Sequence, residues 1–161
     1  MNAGYGFTMN RVRTPELVFT GPAELVISGV PADATRASAL RRALAAWLEV
    51  TAFDRARITD IALATYEALA NAVEHAYRNV AAGTMTLRAV YSNTDRTLEV
   101  AVTDAGHWQA PTVDPLRGNG LPLISALTQE SAVEHTDSGT TVVMNWSADT
   151  PLAPVTDIFS R

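Results

Sequence analysis

Cysteine is absent from all 161 residues. That excludes disulfides, thiolate zinc sites and a thiol nucleophile, and it makes the cytoplasm the expected compartment. No run of about 18 apolar residues occurs, so no membrane-spanning helix is expected. The opening stretch carries Arg11 and Arg13 but no apolar segment of the secretory kind. With Asn2, Gly4, Gly6 and Asn10 it reads as a flexible arm over residues 1–15. Positive charge is in short supply: the net charge is -5 and the pI about 5.1. A general electrostatic grip on nucleic acid is therefore not expected. The acidity speaks first to solubility, although a basic protein partner would suit it. Two phosphate-binding signatures are missing as well, G-x-x-x-x-G-K-[ST] and G-x-G-x-x-G.

What is present suits one globular domain. Hydrophobic residues make up 47% of the chain, enough for a real core at this length. The domain is expected over residues 16–147, followed by a loose tail, 148–161, containing Pro151 and Pro154. Short apolar runs at Glu16–Phe19 and Leu25–Val30, around Gly21-Pro22, read as strands. Asp33 or Thr35 can cap a helix reaching Glu49, with Ala37, Leu40, Leu44, Trp47 and Leu48 on one face. A second helix is predicted from Asp54 to Tyr77. It is apolar almost all round, as a buried helix is. Strands follow at Thr84–Tyr91 and Thr97–Asp104, joined by a turn at Ser92–Asp95. A loop over residues 105–119 leads to a short helix from Gly120, and strands at Ser131–His135 and Thr140–Trp146 close the domain. The expected class is α+β, a two-layer α/β sandwich with a mixed, mostly antiparallel sheet and helices on one face.

Four places hold residues suited to chemistry. On the second helix Glu67, Asn71 and His75 stand at i, i+4 and i+8, a stripe drifting about 40° per step. Unpaired polar groups on a buried helix cost roughly 1–3 kcal/mol each. The stripe therefore needs partners, from a ligand or from nearby backbone. A carboxylate one turn from an amide can serve as general base beside a metal ligand, and an amide oxygen suits Mg²⁺ already neutralised by phosphates. Asp104 follows Leu98, Val100 and Val102 in parity and so ends the buried face of its strand. A carboxylate there can accept from the exocyclic amine of adenine and repels the guanine oxygen; Gly106 leaves room for a base. The same pair also fits a plain turn. Arg117-Gly118-Asn119-Gly120-Leu121 runs into a helix start, where free N–H groups attract anions. An ordinary glycine loop reads the same way. Finally, Gly139-Thr140-Thr141 opens a strand whose hydroxyls can support Asp104 or simply favour the strand.

In this order the four resemble the boxes of the GHKL ATPases. Glu67-Ala-Leu-Ala-Asn71-Ala-Val-Glu-His75 resembles the N box. Asp104-Ala-Gly106, Gly118-Asn-Gly120-Leu121 and Gly139-Thr140-Thr141 resemble the three glycine boxes. The likeness spans Leu25 to Trp146 and is greatest to the anti-sigma-factor serine kinases. It implies the Bergerat fold and an ATP site with Mg²⁺. Glu67 would be the general base, Asn71 the magnesium ligand, and His75 a further residue of the nucleotide site. Asp104, Gly106 and Thr141 would serve adenine, and Arg117, Gly118, Asn119, Gly120 and Leu121 the phosphates. The loop 105–119 would be the lid, with Trp108 where the family often has another glycine. The resemblance also implies phosphate transfer to a serine of a STAS-type anti-anti-sigma protein, sequestration of a sigma factor, and a homodimer. A module that sequesters a regulator without catalysis is the alternative. A histidine kinase is disfavoured because no histidine precedes Glu67. The gyrase and chaperone branches need much longer chains.

Overall fold

The computed structural model describes residues 23–75, 83–106 and 120–152. Its elements, in chain order, are β1 (Ala23–Pro31), α1 (Ala34–Leu48), α2 (Arg55–His75), β2 (Thr84–Ser92), β3 (Thr97–Asp104), α3 (Gly120–Leu127), β4 (Glu130–Thr136) and β5 (Gly139–Ser147). The expected strand Glu16–Phe19 and the end of the second helix at residues 76–77 lie outside the described residues.

Local chemistry explains most boundaries. Asp33, not Thr35, caps α1: its Oδ1 accepts from Arg36 N–H at 2.8 Å, satisfying one of the donors that a helix start leaves orphaned. Asp54 does the same for α2 through Arg57 N–H at 2.8 Å. Between Ile27 and Val30 the register of β1 slips, where Gly29 takes φ +69°, a value that costs glycine little.

The sheet order is β1-β2-β3-β5-β4. Every pairing between these strands is antiparallel, so the described sheet has no parallel member. Strand alternation puts Met85, Leu87, Ala89 and Tyr91 of β2 on one face with Leu98, Val100 and Val102 of β3 and Val142, Met144 and Trp146 of β5. The helices cover that face. Leu40, Leu44 and Leu48 of α1 and Ile61 and Leu69 of α2 are fully enclosed, each worth about 1.5–3 kcal/mol of burial. The Trp146 indole donates to Leu127 O at 2.7 Å, joining β5 to the end of α3.

Two expectations need correction. First, α2 is not buried all round: Leu63 is 38% exposed and Glu74 is exposed, so one side of the helix stays open. Second, the chain just after β5 is tied down. Ala148 N–H donates to Arg96 O at 2.8 Å. Thr150 O accepts from Arg57 Nη2 at 2.6 Å and from Gln129 Nε2 at 3.0 Å. Backbone carbonyls near a surface recruit whatever donors are at hand, and here two are long side chains. Residues 153–161 of the expected tail lie outside the described residues.

Candidate functional site

Across one end of the sheet the register aligns Val30, Met85, Asp104, Thr140 and His135, one from each strand. The opposite end carries Ala23, Tyr91, Leu98 and Trp146. Of the predicted site residues, Asp104 lies in the first of these rows.

Glu67 and Asn71 lie one turn apart on the open side of α2, both half-buried. The first residue of α3 is set against them. A Cβ on Gly120 would stand 3.2 Å from Asn71 Oδ1, 3.3 Å from Asn71 Nδ2 and 3.5 Å from Glu67 Oε2. Glycine thus lets the N-terminus of α3, with its unbonded N–H groups and positive dipole end, approach a carboxylate and an amide closely. No hydrogen bond or ion pair ties either head group to another described residue. Because both keep contact with solvent, the burial cost expected of the stripe is smaller than it would be in a sealed helix. The hydroxyl that meets that cost is Thr65 Oγ1, fully buried and without a partner among the described residues.

Asp104 is 7% exposed, at the inner end of β3. Its Oδ1 accepts from Gly106 N–H at 2.9 Å, the turn that aspartate favours. Burial pushes its carboxyl up, while the N–H groups of Gly106 and Thr140 and the charge of His135 pull it down; the net direction is upward. The backbone here is packed tightly. Gly139 has φ +146°, and a Cβ there would fall 1.9 Å from Asp104 O, so no other residue fits without displacing main chain.

One site residue is misplaced by the sequence reading. Thr141 pairs with Thr103, their hydroxyls 3.0 Å apart on the sheet face away from the helices. Asp104 is on the other face, so Thr141 cannot support it. Thr140, directly across from Asp104, takes that place. The parity that located Asp104 would have found it: Val142, Met144 and Trp146 point inward, and so does residue 140. His135, unmentioned by the motifs except in elimination, also belongs to this row.

The remaining predictions divide. Gly106 is buried beside Asp104, and Leu121 is 51% exposed in the first turn of α3. His75 closes α2, and its side chain lies outside the described residues. So do Arg117, Gly118 and Asn119, with Trp108 and the rest of the expected lid.

Among the described residues no three His, Cys, Asp or Glu side chains converge on a cation position. Asn71 and Glu67 still fit Mg²⁺ if other oxygens come with it, since this ion commonly takes one or two protein ligands alongside phosphates and water. Open grooves among the described residues lie elsewhere. One, of about 590 Å³, crosses the outer sheet face at Arg88, Val90, Glu99 and Asn145. There Arg88 is already paired with Glu24 at 2.8 Å and Glu99 at 3.6 Å.

A model of the histidine kinase-like ATPase domain family matches residues 30–146. Among solved structures, that of the RsbU and RsbW domains of Rv1364c from Mycobacterium tuberculosis is similar, with a TM-score of 0.65 at 28% identity. The match covers 83% of this chain and 35% of that one, so it spans about a third of the length of the chain in that structure.

Proposed function

Starting from the fact that the chain belongs to the histidine kinase-like ATPase domain family, we propose that it is an ATP-dependent protein-serine kinase of the anti-sigma type. The observation that carries this is the contact of Gly120 with Asn71 and Glu67: an anion-attracting helix end meets a base and an amide oxygen in one place. Asp104 accepts the exocyclic amine of adenine at the far side, with Thr140 beside it. The N–H groups that open α3 hold phosphate charge. Glu67 takes the proton from the incoming serine hydroxyl. Mg²⁺, held by Asn71 and phosphate oxygens, would neutralise phosphate charge when bound. Transfer of this kind is mostly positioning, so the partner must bring its serine to Glu67. The resemblance points to a STAS-type anti-anti-sigma protein as that partner and to a sigma factor as the regulated protein.

Calorimetry on the purified chain tests the nucleotide reading. ATP with Mg²⁺ should bind, GTP with Mg²⁺ should be rejected, and Mg²⁺ alone should give no binding heat. Glu67→Gln should retain ATP and lose phosphate transfer to a cognate STAS protein by roughly 10²–10⁴-fold, the usual worth of a general base. Unchanged transfer would remove Glu67 from that role. Failure to bind either nucleotide would favour a sequestering module instead.

A further inference from the structure

The row across the pocket end of the sheet continues past Thr140. His135 of β4 faces it across the ladder, with Nδ1 3.2 Å from Thr140 Oγ1. Thr140 in turn faces Asp104. His135 is exposed, so its ring exchanges protons with solvent while its Nδ1 touches a hydroxyl of the pocket.

A hydroxyl has one proton to give. If Nδ1 is bare, the Thr140 proton is drawn to it, and only oxygen lone pairs remain for a ligand. If Nδ1 carries hydrogen, it donates to Thr140 Oγ1, and the hydroxyl proton is free to point elsewhere. The imidazolium form always has hydrogen on Nδ1, whereas the neutral ring divides between two tautomers. Adenine presents an amine donor beside a ring-nitrogen acceptor. A carboxylate answers the first and has nothing to offer the second. Thr140, next to Asp104, answers the second only when its proton is free.

We propose that His135 is a positioning residue for the adenine pocket, its Nδ1 deciding whether Thr140 donates to the base, so that nucleotide is held more tightly when the imidazole is protonated. The inference rests on the nucleotide reading above. Among the described residues, the strand and helix packed against β4, namely β5 and α3, carry no ionisable side chain. Asp104, on the strand beyond β5, is one charged group that acts on His135; Glu134, its neighbour in sequence, is on the opposite face of β4 by alternation. Asp104 itself stops being a pure acceptor when protonated. Affinity against pH is then a bell, with Asp104 setting the acid limb and His135 the alkaline one.

The test measures Kd for ATP with Mg²⁺ from about pH 5 to pH 8.5, the span in which histidine titrates. It uses the unsubstituted chain, His135→Ala, Thr140→Val and the double variant. Affinity of the unsubstituted chain should fall about three- to ten-fold along the alkaline limb, the worth of one neutral hydrogen bond. His135→Ala and Thr140→Val should each abolish that limb, and the double variant should lose nothing more. An alkaline limb that survives in His135→Ala, or additive losses in the double variant, would overturn the inference and leave the nucleotide reading standing. No ATP binding by the unsubstituted chain would overturn both.

Discussion

Asp104 answers to two opposed demands. Its place at the buried end of β3 disfavours the charged form, yet the adenine contact proposed for it requires that form. The upward direction of its carboxyl fixes the sign of a stability effect. A group held above its ordinary value, 3.8 here, binds its proton more tightly folded than unfolded. The stability this brings is complete below the unfolded value and is lost as pH rises through the folded one. Asp104→Asn cannot ionise and so lacks that loss. Urea unfolding of both chains from about pH 4 to pH 7 should show the unsubstituted chain declining relative to the variant. At neutral pH the variant should be at least as stable while binding ATP more weakly. Parallel stability curves would mean that burial does not penalise the carboxylate. Asp104 was legible in the sequence because strand parity is strict. Thr140 was legible by the same rule and was missed for its neighbour, because two threonines in succession offer the same chemistry to a motif and opposite faces to a sheet.

At the scale of elements, the start of β5 is held by a single glycine. With φ +146° and Asp104 O where a Cβ would go, Gly139→Ala must move main chain. The expected cost is about 2–4 kcal/mol, typical of backbone strain combined with a steric clash. The urea midpoint should drop with the slope unchanged; a variant as stable as the parent would show that β5 can shift freely. The elements themselves were readable from periodicity. Strands β2, β3 and β5 alternate cleanly, and α1 has its apolar stripe and an aspartate cap. The openness of α2 was not readable. Leu63 and Ala70 look like core residues, and whether a neighbour covers that side is settled by where α3 docks. Docking depends on Gly120, whose fit against Asn71 and Glu67 is a contact between distant parts of the chain.

For the whole molecule, the α+β class and the helix-covered sheet followed from the order of elements. The closeness of Gly120 to Glu67 and Asn71 is a finding of the structure, since the motifs name these residues without saying how near they stand. What composition could not give was the arrangement of strand ends. The chain enters β1 at Ala23 and leaves β5 at Ser147, in the row that includes Tyr91, Leu98 and Trp146, and the pocket row is at the other end. Tension drawn between Ala23 and Ser147 therefore unzips the sheet rather than shearing it. The Ala23–Tyr91 pair parts first, hydrogen bonds fail one after another along β1, and the Asp104–Thr140 pair feels the load late. In a pulling experiment the first rupture should come at low force and should not change when ATP is added. An ATP-dependent first rupture would place the pocket in the path of the load. By this geometry the domain yields mechanically at one end while the proposed nucleotide site stays intact at the other.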